Sequence, residues 1–178
     1  MRQLSLVSAL VMALSATTVM AEDVKVLEKV IDAKSFTKLV LEVPVGEINI
    51  KAAKGSEISL VVELDPDEDW LGRSSDLSDA QISRGDDGST LKLKVDLEDY
   101  DDVEQSWTVM MPADMAISLN LGVGSVEIDD LTSDIKVDVG VGEVDVAVNT
   151  SLYDSIKLDA GVGDTSIKGG KGLSLIHI

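Results

Sequence analysis

The chain has 178 residues, with 33 Asp and Glu against 15 Lys and Arg, a single histidine and no cysteine. That length fits one domain, and a net charge of −18 repels nucleic acid and anionic lipid. Without cysteine the chain folds with no disulfide, offers no thiol for lipid attachment, and lacks thiolate catalysis.

Residues 1–21 read as a secretory signal. Arg2 supplies the positive start, Leu4 to Leu14 a short apolar run, and Val19-Met20-Ala21 a small-residue cleavage site before Glu22. The run is too short to favour a membrane span, and no other stretch is long enough, so no transmembrane segment is expected in the mature chain. The polar leader Glu22 to Ser35 reads as a strand plus a linker. LVLEVPVGEINI, Leu39 to Ile50, alternates apolar and polar residues, which means strand with one buried face. Ala53-Lys54-Gly55-Ser56 is a turn, and Glu57 to Leu64 a second strand. Asp65 to Ser78 reads as a surface loop. Ala80 to Arg84 and Ser89 to Leu97 read as a hairpin around Gly85-Asp86-Asp87-Gly88. Glu98 to Glu104 is a second acidic loop, and Trp107 to Met111 a strand ended by Pro112-Ala113-Asp114.

Then one pattern is written three times: ISLNLGVGSVEI, IKVDVGVGEVDV and IKLDAGVGDTSI, starting at Ile117, Ile135 and Ile156, 18 and 21 residues apart. Leu39 to Ile50 is a fourth copy in the same phase. In each, the inner-face series alternates up to Val45, Val123, Val141 or Val162, skips, and resumes three residues on, at Ile48, Val126, Val144 or Thr165. Such a skip returns the apolar set to the inner face after a bend. The structural corners are Gly46, Gly122, Gly124, Gly140, Gly142, Gly161 and Gly163, with Pro44 in the first place of the first copy; positive φ is expected at Gly140. Self-similarity near 20 residues signals a repeat architecture, in which stacked copies share one core. The reading is an all-β solenoid with an N-terminal strand and hairpin region; ordinary strands of a β-sandwich are the alternative. Stacking would place Ser125, Glu143 and Asp164, with Glu47, in one outward column.

WTVMMPAD at 107–114 followed by G-V-G at 122–124, 140–142 and 161–163 resembles the bacterial putative-adhesin β-strand repeat family. The resemblance covers roughly Phe36 to Gly172. It implies a right-handed β-solenoid that is exported, and no established catalytic residues. Family members commonly carry G-S-G-D at the corner where this chain has G-V-G.

The last six residues, LSLIHI, break the charge pattern. Read back into codons they match CTG-TCT-CTT-ATA-CAC-ATC, which resembles the transposon end used in preparing sequencing libraries. Residues 22–172 are therefore expected to be one repeat domain cut short at its C-terminus, with 173–178, including His177, a non-native tail. A final rung without a cap would favour edge-to-edge self-association.

With no cysteine, and no histidine before the expected non-native tail, Ser-His and Cys-His systems and the usual zinc sites are excluded. A glycosidase needs two carboxylates facing one sugar bond, and no local pair stands out. The aromatics Phe36, Trp70, Tyr100, Trp107 and Tyr153 are few for sugar platforms. No catalytic or cofactor-binding residue is assigned. For a metal, calcium wants six to eight oxygens; the weak candidates are Asp65, Asp67 and Asp69 in the first acidic loop and Asp99 and Asp101 in the second. Neither loop has EF-hand spacing, and solvated acidic loops are the plainer reading. Arg84-Gly85-Asp86 spells an integrin-binding tripeptide, although hairpin turns favour Gly and Asp anyway. The functional expectation is an exported, non-catalytic module of the periplasm, envelope or exterior. Its role is adhesin-like or structural, and its partner an envelope, surface or polysaccharide component. The alternatives are a carbohydrate-active solenoid and a calcium-dependent structural protein.

Overall fold

The fold was analysed in a computed structural model, which describes residues 24–66, 75–97, 103–148 and 155–169. The signal, the candidate acids Asp67, Asp69, Asp99 and Asp101, the aromatics Trp70, Tyr100 and Tyr153, and the C-terminal tail lie outside the described residues. The described residues contain strands and no helix: β1 (Lys25–Asp32), β2 (Lys38–Ala53), β3 (Glu57–Pro66), β4 (Gln81–Asp87), β5 (Thr90–Asp96), β6 (Val103–Pro112), β7 (Ala116–Asp129), β8 (Ile135–Ala147) and β9 (Ile156–Lys168).

The all-β expectation holds, and the sheet is open and mixed. Its order is β1-β3-β6-β2-β7-β8-β9, with β5 also on β2 and β4 on β5. The four repeat copies are β2, β7, β8 and β9, stacked parallel in one register: Gly46, Gly124, Gly142 and Gly163 are consecutive partners, as are Glu47, Ser125, Glu143 and Asp164. Each copy bends at its glycines into two limbs. The N-terminal half departs from a uniform stack because the free edge of β2 is divided. Its first limb pairs with β5 over Lys38 to Glu42, and its second with β6 over Gly46 to Ala53. Antiparallel strands β1, β3 and β6 extend one limb, and the β4–β5 hairpin extends the other.

The inner faces enclose one core. Leu39, Leu41, Ile48, Ile50, Leu119, Val137 and Ile128 are essentially inaccessible. Trp107 is fully buried in it, and its indole N–H donates to the Gln105 side-chain oxygen at 3.0 Å, so the one buried polar side chain on β6 is satisfied. Leu131 and Val148, which follow β7 and β8, are also buried and belong to the same core.

Three boundaries move. The hairpin turn is Gly88-Ser89 alone, because Asp87 pairs with Thr90 and Gly88 has φ 61°; Gly85, Asp86 and Asp87 are strand. Val103 and Glu104 belong to β6 and Asp65 and Pro66 to β3; all four, read as loop, pair across the two strands.

Candidate binding surface

The surface is built by the corner. On β7 the buried series Ile117, Leu119, Leu121 is followed by Val126 and Ile128. Val123 is therefore not an inner residue. Val45, Val123, Val141 and Val162 are 42%, 47%, 47% and 66% exposed, an apolar row along the outside of the bend. The expected alternation fails one step early because the first corner position drops out of the pairing: Pro44, Gly122, Gly140 and Gly161 have no cross-strand partner.

The two glycine columns do different work. Gly46, Gly124, Gly142 and Gly163 have φ between 136° and 150°, a region open to glycine. A Cβ on Gly142 would lie 1.7 Å from the Gly124 carbonyl oxygen. The first column, Gly140 included, has no positive φ, which corrects the expectation. Its glycine is required by close approach instead: a Cβ on Gly140 would lie 2.5 Å from the Gly122 oxygen. Pro44 is tolerated because it needs no ladder hydrogen bond and sits where the β5 and β6 pairings leave a gap.

An open groove of about 870 Å³ crosses the outside of the first limb. Pro44, Gly122, Gly140 and Gly161 line it together with the apolar Val43, Val95, Leu121, Val139 and Ala160, and Lys94, Glu42, Asn120, Asp138 and Asp159 form a polar row along it. These five are cross-strand neighbours, so the row repeats at ~4.8 Å and runs for roughly 19 Å. A parallel row holds Lys136 and Lys157, and each lysine pairs with the acid two residues on, Lys136 with Asp138 and Lys157 with Asp159, the latter at 3.3 Å. The Asp138 hydrogen bond and charge, with Asp159 beyond, raise the Lys136 pKa. Both pairs are wet, so they orient side chains more than they stabilise.

The second limb's outer face is more acidic. Glu47, Glu127, Glu143 and Asp145 line a hollow of about 280 Å³ with Asn49 and Ser125. The Ser166 hydroxyl, then Lys168 at 3.5 Å, hold the Asp145 carboxyl below its ordinary range. Among the described residues no group of three or more His, Asp or Glu is arranged to hold a metal. Asp65 is exposed on β3 opposite Glu104.

Arg84 and Asp86 lie in strand β4 and satisfy each other through two 2.8 Å hydrogen bonds, with the guanidinium 5.2 Å from the Phe36 ring centre. The tripeptide is thus not at a loop apex. Trp107 is core, not a sugar platform. Two features were missed in the sequence. The groove was one, although the small residues at the first corner place announce part of its lining. The other is a pair of inward lysines on β1: Lys25 donates to the Leu77 and Ser78 carbonyls at 2.6 and 2.9 Å, and Lys29 to Ile82 at 3.0 Å.

No family model matches the sequence, and no curated protein does. Among solved structures, a putative cell adhesion protein from Clostridium sporogenes is similar over 84% of this chain and 74% of its own, with TM-score 0.58 and 18% identity. The fold resembles that of a bacterial putative adhesin. A putative adhesin from Parabacteroides distasonis aligns over 83% of this chain and 67% of its own, with TM-score 0.42 and 14% identity. The resemblance read from the G-V-G repeats and WTVMMPAD is thus met by structural likeness to the putative cell adhesion protein from Clostridium sporogenes. At these identities the likeness concerns the fold. Among the described residues no helix is long and apolar enough to cross a membrane.

Proposed function

We propose that the protein is an exported, non-catalytic, adhesin-like module whose stacked strands present a rigid face to an extended partner in the envelope or outside the cell. The observation that supports it best is the groove. Five strands place polar groups at a fixed step along an otherwise mainly apolar lining, which suits a polymer with a repeating polar pattern, such as a polysaccharide. The likeness to a cell adhesion protein agrees with a binding role. The finer architecture we infer is a right-handed solenoid in β7 to β9, preceded by the mixed N-terminal region. Residues 1–21 act as the signal, so N-terminal sequencing of protein from the exported fraction should begin at Glu22.

A catalytic reading is weaker. The groove carboxylates Asp138 and Asp159 are each tied to a lysine on their own strand, and none of the groove's lining residues is aromatic. The test is titration of the protein with cell-envelope polysaccharide fractions, following heat and chain length of any product. Saturable binding that weakens in Asp138→Lys, with no shortening of the polymer, is the expected result. Binding that is indifferent to Asp138→Lys places the partner elsewhere.

A further inference from the structure

We propose that the exposed valine row at the corner is a docking strip for a basic, amphipathic α-helix of another protein. The helix lies along the stack, with its apolar stripe on the valines and its cationic side chains over the second limb. The strip borders the groove, but its occupant does not depend on the polymer read there.

The row has no part in the core. Val45, Val123, Val141 and Val162 are successive cross-strand partners, all of them exposed. On β8 the other outward places carry Lys136, Asp138, Glu143 and Asp145, and their partners on β9 are polar as well. Strand propensity asks only for a β-branched residue, and threonine would satisfy it while facing water. Valine in all four copies therefore makes a continuous apolar strip where packing needs none. The exposed Pro44, Gly122, Gly140 and Gly161 widen it on one side. An apolar strip with a polar rim marks an interaction site. Valine is also stiff at χ1, so little side-chain freedom is lost on contact.

Charge and spacing identify the occupant. Both flanks of the strip carry acids: Glu42, Asp138 and Asp159 on the first limb, Glu47, Glu143 and Asp164 on the second. The first-limb acids have Lys94, Lys136 and Lys157 for neighbours. The second-limb acids join no ion pair among the described residues, so a partner's cations are favoured on that side. The same acids repel an anionic bilayer, and a second copy would set like carboxylates face to face. A polysaccharide would bring hydroxyls onto valine with nothing there to bond them. The row steps ~4.8 Å per strand, so four valines span roughly 14 Å. An extended peptide laid along it repeats on one face every ~6.7 Å and falls out of step by about 6 Å over that span. A helix repeats every ~5.4 Å and falls out by about 2 Å. Its apolar stripe covers the valines while lysine or arginine on one flank reaches over Glu47, Glu143 and Asp164.

The probe is a synthetic peptide of leucine and lysine, about 18 residues long, with leucine at helical spacing. A second peptide of the same composition alternates the two residues, as a strand would. Each is titrated into the full chain while the valine methyl resonances are followed. The helical peptide should shift Val45, Val123, Val141 and Val162, leave the exposed Val26 and Val30 of β1 in place, and bind roughly tenfold or more tightly than the alternating one. Val123→Ser combined with Val141→Ser should weaken binding by roughly tenfold or more, since two apolar contacts are lost. Circular dichroism should stay unchanged, because neither side chain is in the core, and Val30→Ser should leave binding as it was. Glu47→Gln combined with Glu143→Gln keeps the valines and should both weaken binding and flatten its salt dependence. Equal affinity of the two peptides, affinity indifferent to the serine pair, or shifts outside the strip alone overturns the proposal. So do valine shifts with envelope polysaccharide and none with peptide, an outcome that leaves the reading of the groove intact. Peptide binding at the strip by a protein that no polysaccharide fraction binds removes that reading and keeps this one.

Discussion

The two ends of the molecule solve the same problem with different chemistry. In the C-terminal stack, bent parallel strands meet through backbone at the corner, and every strand repeats the same glycine constraint. In the β1–β3–β6 and β4–β5 pairings the partners are antiparallel, the turns are local, and Gly55 and Gly88 serve conformation only. Gly88 has φ 61° with open space around it, whereas Gly142 combines φ 150° with a carbonyl where its Cβ would be. The lesson is that two glycines equally able to adopt positive φ can differ several-fold in what they contribute, and packing decides the difference.

The largest expected effect follows from that contrast. Gly142→Ala should destabilise by on the order of 4 kcal/mol, since backbone strain and a steric conflict with a neighbouring strand act together. Gly88→Ala should cost about 1–2 kcal/mol, the strain of a left-handed residue alone. Urea midpoints of the two variants give the comparison. Similar midpoints would mean that the stacked corner can relax by separating the strands.

Next come the positions where the corner departs from simple alternation. Val139 is 4% exposed and Val141 is 47%. Val139→Ala should cost about 2 kcal/mol, and Val141→Ala less than about 0.5 kcal/mol. Equal losses in thermal melts would return the valine row to the core. A related pair tests close approach without positive φ. Gly140→Ala should cost about 1–3 kcal/mol by overpacking against the Gly122 oxygen, 2.5 Å from its Cβ. Pro44→Ala, in the same column but at the gap between β5 and β6, should change stability by less than about 1 kcal/mol. A large loss at Pro44 would mean that its ring, and not the gap, sets the first corner.

The register of the stack was legible because side-chain period and backbone period coincide in a strand: aligning the G-V-G motifs by eye places Glu47, Ser125, Glu143 and Asp164 in one column, and the ladder does the same. The exposure of Val123 was not legible, since an apolar residue beside glycine reads the same whether the bend precedes or follows it. Nor was the split of β2 between β5 and β6, because parallel pairing leaves no local mark on either strand. Lys25 and Lys29 lie in a stretch that reads only as a polar leader, a strand plus a linker. Their inward direction depends on the carbonyls of Leu77, Ser78 and Ile82, some fifty residues away.

The smallest effect concerns how tightly β9 is held to the stack. Asp145 on β8 accepts a hydrogen bond from Ser166 and faces Lys168, both on β9, and its pKa lies below the ordinary 3.8. Asp32 is lowered too, but by the backbone N–H and ammonium of Lys34, two residues along. A contact so local can persist in the unfolded chain, so it contributes less to folding. For Asp145 the folded pKa is the depressed one. Its contribution is present in full above the unfolded pKa and disappears as pH falls through the folded value. The stability difference between wild type and Asp145→Asn should therefore be constant at neutral pH and shrink below about pH 4. Salt should reduce it at every pH, because Lys168 is largely exposed. The matching Asp32→Asn comparison should show little pH dependence. Denaturation of the variants from pH 7 to pH 3 at low and high salt makes the measurement. If the Asp145→Asn difference does not change with pH, the carboxylate is not coupled to β9, and that strand is held by its backbone pairing and the inner face of Leu158 alone.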